Sequence, residues 1–257
     1  MDNPAPDFAT LVGWNPSVAA PNAASDAFGS ADIHGTTVIA VKYRDGVLTV
    51  GDRRATGGSA IMYDKAEKVL PLDDHTLMAI SGSFSRAMEF ARYLRHAFKY
   101  YERSQLQTLS LDGKLNEIGR LMAGNMAGAM SGVGLVIPVV AAWDAARGEG
   151  RIFFYDAGGA RFETGEYGAA GSGSGPIRGA FEYVVRTKGP FAAKDLETAL
   201  GEALALLEIA ADLDSATGGA SKVLPIARVV TAQGVADVPS DLLARAVEGV
   251  VKTGTAL

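Results

Sequence analysis

The 257-residue chain contains no cysteine. That excludes disulfide frameworks, thiolate zinc sites, cysteine-ligated iron–sulfur clusters and a cysteine nucleophile. It suits a reducing compartment, and a cytoplasmic location is expected. Histidine is scarce: His34, His75 and His96 are the only three, which leaves few places for a serine–histidine triad or a histidine-rich metal site. No apolar run reaches the roughly 18 residues that a membrane-spanning helix needs, so no membrane partner is expected. No lysine or arginine occurs before Lys42, and the formal net charge is −5. A nucleic-acid partner, which would call for a basic face, is not expected.

Several familiar motifs are missing too. Gly171-Ser172-Gly173-Ser174-Gly175 precedes a helical pattern, but a dinucleotide fingerprint begun at Gly173 would need glycine where Arg178 stands. No G-x-x-x-x-G-K-[ST] phosphate loop occurs. Neither Ser172 nor Ser174 sits in a G-x-S-x-G elbow. Asp73-Asp74-His75 has no further ligands at useful spacing and reads as a solvated turn. No cofactor or metal is expected.

What is present is ample core material, 48% hydrophobic against 21% charged residues, enough for one large domain. Residues 1–35 stand apart, with four acids, four of the ten prolines and eight alanines. Lacking basic residues, this segment is neither a secretory signal nor a transit peptide. Alone it reads as a terminal tail with one apolar knot, Phe8 to Trp14. Regular patterning begins at Thr36. Thr37–Val41 and Val47–Gly51 make a hairpin across Arg44-Asp45-Gly46, and Lys68–Leu72 and Thr76–Ile80 a second. Three- and four-residue spacing predicts a helix from Phe84 to Tyr101, and another from Leu111 through Met126 to Met130. A strand run at Val133–Trp143, broken by Pro138, precedes a hairpin of Arg151–Asp156 with Ala160–Thr164. Helices follow at Ile177–Val185 and Ala193–Ala211, then a hairpin of Ile226–Ala232 with Val235–Val238. A terminal helix is capped at Ser240. Strands and helices in blocks predict an α+β fold of antiparallel sheets with a helix pair on each outer side. Residues 36–257 form one domain.

Covalent chemistry without histidine or cysteine is open to a threonine at a chain start. Its hydroxyl is the nucleophile and its own α-amine, with a reference pKa of about 7.7–8, the base. The preceding peptide bond must then be cut. Ile33-His34-Gly35-Thr36-Thr37 offers that bond, and glycine before it, lacking a Cβ, lets the backbone strain and the hydroxyl approach its own upstream carbonyl. The acidic segment ends there, which makes residues 1–35 a removable leader.

His34-Gly35-Thr36-Thr37, Gly51-Asp52-Arg53-Arg54-Ala55-Thr56, Glu67-Lys68-Val69, Gly171-Ser172-Gly173-Ser174 and Asp214-Ser215-Ala216-Thr217-Gly218-Gly219 together make residues 36–257 resemble the catalytic β subunit of the bacterial, actinobacterial-type proteasome core particle. The strings lie in order over some 180 positions. The resemblance implies the four-layer αββα sandwich of N-terminal-nucleophile hydrolases, in agreement with the element order. It implies a propeptide, residues 1–35, removed by self-cleavage after Gly35, and a threonine endopeptidase acting on unfolded protein.

On that resemblance Thr36 is nucleophile and, once freed, general base. Asp52 and Lys68 are the supporting charge pair. The ammonium favours a neutral amine and stabilises alkoxide character, and Asp52 compensates a cation that would be costly alone. Ser172, Asp214 and Thr217 surround the amine, with threonine at 217 where the family often has serine. The Gly82 N–H, in Ile80-Ser81-Gly82-Ser83, is the oxyanion donor. Substrate lies as an added strand along backbone near Thr56 and Gly82. Its side chain enters a pocket of Ala55, Ala66, Leu70, Ile80, Phe84 and Met88. That lining is uncharged, so cleavage after hydrophobic residues is expected. The Phe84-Ser85-Arg86 helix start departs from the family's small-residue run and bears on fine specificity.

The same resemblance implies seven-membered β rings, two of them stacked between rings of separate α subunits, fed by an ATP-dependent ring. The knot Phe8–Trp14 is expected to help dock half-assemblies. Rival readings are the two-component bacterial protease of the same fold, an amidase or transferase with the same nucleophile type, and a non-catalytic structural β subunit. The leader holds four of the 29 acids and none of the 24 bases. Residues 36–257 are therefore nearly neutral, and the case against nucleic acid rests on the motifs.

Overall fold

A computed structural model describes residues 8–13, 35–57, 60–130 and 134–254. Most of the expected leader, including Trp14 and His34, lies outside the described residues, as does Val133.

The first hairpin pairs β1 (Thr37–Tyr43) with β2 (Gly46–Gly51). A ribbon of β3 (Ala55–Gly57) and β4 (Ala60–Tyr63) follows. Then come β5 (Val69–Asp73) and β6 (Thr76–Ala79). A one-turn helix α1 (Phe8–Leu11) precedes them all, and α2 (Phe84–Gln105), α3 (Leu111–Gly124) and α4 (Met126–Met130) come next. β7 (Val139–Asp144), β8 (Glu149–Tyr155), β9 (Arg161–Thr164) and β10 (Tyr167–Gly171) lead to α5 (Ser174–Lys188) and α6 (Leu196–Leu213). β11 (Ile226–Thr231), β12 (Gly234–Asp237) and α7 (Ser240–Gly254) complete the chain's described elements.

Two five-stranded antiparallel sheets result, ordered β10-β1-β2-β11-β12 and β5-β6-β7-β8-β9. The period of two sorts their side chains. From β1, Val38 and Ala40 enter a core between the sheets, together with Leu77, Ala79, Val139, Ala141 and Ile152. Ile39 and Val41 point the other way, into a core with Leu200, Leu204 and Leu207 of α6. On the far sheet, Met78 and Val140 pack against Phe90, Leu94, Ile118 and Leu121 of α2 and α3. Both faces of β1 are thus covered, which is why Thr37–Val41 reads as a nearly unbroken apolar run.

Several sequence expectations need correction. The first sheet carries three helices, not a pair, because Leu243 and Val247 of α7 join the core beside α6. The second long helix breaks at Asn125, whose side chain is committed to the Gly134 carbonyl (2.7 Å) and to Arg86 Nε (2.9 Å). Beyond the break, Met126 and Met130 are exposed and contribute no core. Proline at 138 donates no N–H, and the strand proper starts at Val139, with Val136 making only an isolated bridge to Gly82. The helix expected from Ala193 starts at Leu196, capped by Asp195 Oδ1 accepting from the Thr198 N–H at 2.9 Å. Strand β10 and the β3–β4 ribbon are absent from the sequence reading. The Gly- and Ala-rich Tyr167–Gly171 has little intrinsic strand preference, and edge pairing to β1 makes it one.

At the turn 73–75, the Asp73 carboxylate accepts from the His75 N–H at 2.9 Å and pairs with Lys114 at 2.7 Å. This is the geometry of a turn rather than a metal site. Of the leader's apolar knot, Phe8 packs on α2 against Tyr93 and Tyr100, ring centroids 5.6 Å apart in each case. Leu11 and Val12 remain exposed.

Candidate active site

Six chain segments converge where β1 begins. They are the start of β1, the turn after β2, β3, the approach to β5, the loop after β10 and the loop after α6. At their centre stands Thr36, buried at 3% exposure. The peptide bond before it is intact, and Thr36 Oγ1 donates to the Gly35 carbonyl at 2.8 Å. The Gly35 N–H donates to Thr56 Oγ1 at 3.0 Å. A Cβ on Gly35 would stand 1.9 Å from Ala216 Cβ and 2.8 Å from its Cα and carbonyl oxygen. Glycine is therefore required by lack of room. Gly35 is not among the residues with positive φ, so a strained backbone is not the reason.

Lys68 Nζ donates to three oxygens: Asp52 Oδ1 at 2.8 Å, the Gly35 carbonyl at 3.3 Å, and the Arg54 carbonyl. The expected charge pair is thus formed, and both side chains are 1% exposed or less. Burial pushes the Lys68 pKa below the ordinary lysine value, against the pull of Asp52. Asp52 is saturated. Oδ1 also accepts from the Thr37 N–H at 2.8 Å, and Oδ2 from the N–H groups of Arg54 (2.9 Å) and Gly218 (3.0 Å). These bonds offset the cost of burying the carboxylate.

The second expected group also assembles. Asp214 Oδ2 accepts from Ser172 Oγ at 2.5 Å and from Thr217 Oγ1 at 2.6 Å, and Oδ1 from the Ala216 N–H at 3.1 Å. Burial would raise the Asp214 pKa, but the Ser172 and Thr217 hydrogen bonds, with Ala216 and the nearby Lys68 charge, hold it below the ordinary carboxylate value. Among the described residues none of the three bonds Thr36 directly. They reach it through its neighbour, since Thr217 Oγ1 and Thr37 Oγ1 lie 2.6 Å apart.

Gly82 has φ +88°, and a Cβ there would meet the Leu135 carbonyl at 2.1 Å. The two bonds of its bridge come from the flanking residues, Ser83 N–H to Leu135 O and Ile137 N–H to Ser81 O. The Gly82 N–H therefore stands outside that pairing. Among the expected pocket residues, Leu70 and Ile80 are buried in the core under α2, and Phe84 and Met88, partly buried, pack against the same cluster. Ala66 is buried, Ala55 partly buried, and Thr56 buried at 3%. Leu70, Ile80, Phe84 and Met88 thus share one cluster, which Ala55 and Ala66 do not join, and none of the six side chains is charged.

Three contributors carried no role in the sequence reading. Thr37 joins the two groups, its N–H on Asp52 and its hydroxyl on Thr217. Gly218 donates to Asp52 across 166 positions. Arg54 Nη1 donates to the carbonyls of Ser215 (3.1 Å) and Thr217 (3.2 Å). All three lie inside the motif strings, which was the available signal. The Gly-Ser stretch that fails as a phosphate loop has its own use. Gly171, at φ +106°, leaves no room for a side chain, since its Cβ would lie 1.7 Å from the Thr36 carbonyl oxygen.

Comparison with known proteins adds a separate line. The family described as "Proteasome subunit" matches residues 33–225. The chain is 35% identical over 235 residues to proteasome subunit beta of Acidimicrobium ferrooxidans, covering 90% of this chain and 84% of that one. It is 38% identical over 223 residues to proteasome subunit beta 2 of Thermomonospora curvata, covering 85% and 77%. With proteasome subunit beta of Streptosporangium roseum it shares 39% identity over 233 residues, 90% and 78% of the two chains.

Proposed function

The chain belongs to the proteasome family as a β-type subunit, part of a protease, and from that premise we propose that it is a threonine endopeptidase that frees Thr36 by its own cleavage after Gly35. One observation carries this reading: Thr36 Oγ1 lies 2.8 Å from the carbonyl oxygen of the very bond to be cut. In the self-cleavage step Oγ1 adds to the Gly35 carbonyl carbon, and the developing oxyanion is met by Lys68 Nζ, 3.3 Å from the carbonyl oxygen. The C–N bond breaks, the hydroxyl proton ends on the nitrogen, and Gly35 is left as an ester on Oγ1. Water hydrolyses that ester, releasing residues 1–35 and leaving the hydroxyl and a free α-amine on residue 36.

In turnover that amine takes the proton of Oγ1 as the hydroxyl attacks a substrate carbonyl. The adjacent Lys68 cation keeps the amine pKa down, Asp52 balances the cation, and Gly82 N–H receives the oxyanion. Asp214, with Ser172 and Thr217, orients the amine through Thr37. Ala55, Ala66, Leu70, Ile80, Phe84 and Met88 favour hydrophobic side chains at the cleaved position, with the substrate strand along Thr56 and Gly82. The sandwich is that of N-terminal-nucleophile hydrolases, with residues 36–257 as its domain.

The family assembles with other proteasome subunits. For this chain we assign two β rings of seven between two α rings of seven, loaded with unfolded protein by an ATP-dependent ring in the cytoplasm. No described helix is long and apolar enough to cross a membrane. N-terminal sequencing of the assembled particle tests the reading. A start at Thr36 is expected, and Thr36→Ala is expected to abolish both processing and peptide hydrolysis. An assembled wild-type particle that keeps its leader and still hydrolyses peptides refutes it.

A further inference from the structure

We propose that the Thr56 hydroxyl is a positioning group for self-cleavage, and that the pose it holds differs from that of a substrate residue in turnover. This rests on the reading of Thr36 as nucleophile. Gly35 is gripped at both ends. Its carbonyl takes Thr36 Oγ1 at 2.8 Å and Lys68 Nζ at 3.3 Å, and its N–H is held by Thr56 Oγ1 at 3.0 Å. Thr56 is 3% exposed, so this bond meets little competition from water. It comes from a side chain, whereas a substrate strand is expected to pair with backbone at the same position.

Room around Ala216 separates the two poses. A Cβ in the Gly35 pose would lie 1.9 Å from Ala216 Cβ and 2.8 Å from that residue's backbone Cα and carbonyl oxygen. No residue with a side chain fits there. A substrate leucine, tyrosine or phenylalanine keeping its carbonyl beside Oγ1 must turn about its Cα–C bond to swing Cβ clear. Nitrogen and Cβ share one tetrahedral centre, so a turn of about 120° carries the nitrogen some 2 Å from where Gly35 holds it. That displacement breaks a bond such as the one to Thr56 Oγ1. The hydroxyl therefore serves the precursor's glycine and loses that contact when larger residues are cleaved.

The test compares Thr56→Val, which removes the hydroxyl at nearly constant shape, with Thr56→Ser, which keeps it. Each is made in the full chain and in a chain whose Thr36 is freed by cutting an unrelated upstream fusion. All are co-assembled with the α-type subunits of the same source. Intact mass against time reads self-cleavage, and fluorogenic peptides ending in Leu, Tyr or Phe read kcat/KM. Thr56→Val is expected to slow self-cleavage about tenfold or more, and to lower kcat/KM of the pre-freed particle by a clearly smaller factor. Thr56→Ser restores most of the self-cleavage rate. Equal losses in both assays, unslowed self-cleavage, or a serine variant as slow as valine overturns the proposal. If valine prevents assembly, Thr56→Ala reads the same loss. A wild-type chain uncut at Gly35–Thr36 would instead refute the parent reading.

Discussion

Replacing Gly35 by alanine adds one methyl group to a residue that the reading discards. The structure sets the size of its effect. The new Cβ would meet Ala216 Cβ at 1.9 Å and its backbone Cα and oxygen at 2.8 Å. Ordinary carbon contacts need about 3.5 Å or more, so one segment must retreat by over an ångström. The loop after α6 resists, because Asp52 holds the Gly218 N–H and Arg54 holds the Ser215 and Thr217 carbonyls. Gly35 is the part that moves, and with it the carbonyl that faces Thr36 Oγ1. A misplacement of about 1 Å costs roughly a hundredfold in rate. Gly35→Ala is thus expected to slow self-cleavage by about two orders of magnitude, followed by intact mass after mixing with α-type subunits. A chain with Thr36 already freed contains no Gly35 and supplies the reference activity that the variant's particle should fail to reach. Processing within a few-fold of wild type would show that the loop yields, and the close-fit argument would fall.

Three further outcomes are expected. Asp52→Asn leaves the Lys68 ammonium buried without its counterion, and breaking such a pair costs about 3–5 kcal/mol. Denaturant unfolding of the unassembled chain should show a loss of that order, and a change below about 1 kcal/mol would mean that the pair is not desolvated. Asp214 has a native pKa below its unfolded value, so it adds stability above the ordinary carboxylate range and loses it as pH falls toward the native value. Melting temperature between about pH 5 and 3 should therefore drop more steeply for wild type than for Asp214→Asn, and parallel curves would remove Asp214 from the account. A fluorogenic panel should show cleavage after Leu, Tyr and Phe ahead of cleavage after acidic or basic residues, and the reverse order would reject the pocket.

The sheets were legible because β1, β2, β6 and β8 alternate between two apolar environments, and period two survives burial on both faces. The same rule fails for Tyr167–Gly171. There strand formation is imposed by pairing with β1, and the small residues are demanded by what they face: Gly168 lies against Ile152 and Val139 of the second sheet. The break at Asn125 was invisible for a related reason. Apolar spacing continues through Met126 and Met130, while the decisive contacts, to Gly134 and Arg86, come from elsewhere in the chain. Phe8, read only as part of an apolar knot, finds its cradle 85 to 92 positions away, on Tyr93 and Tyr100.

The candidate site divides along the same line. Residue types suited to the chemistry could be chosen from strings, and Thr36, Asp52 and Lys68 do meet. What spacing could not reveal is how a buried cation is made tolerable beside a nucleophile. Asp52 is 1% exposed, and its two oxygens accept from four donors drawn from four segments. Three are backbone N–H groups, of Thr37, Arg54 and Gly218, which every residue type but proline carries. The strings mark their positions, but nothing in residue type tells that their backbone is what the carboxylate needs. These N–H groups tie the start of β1, the turn after β2 and the loop after α6 to one carboxylate. A shift in any of the three then moves the charge that faces Lys68, and through it the Gly35 carbonyl. On this geometry the loop carrying Asp214 and Thr217 cannot relax independently of the Asp52–Lys68 pair, and double variants across the two groups should depart from additivity.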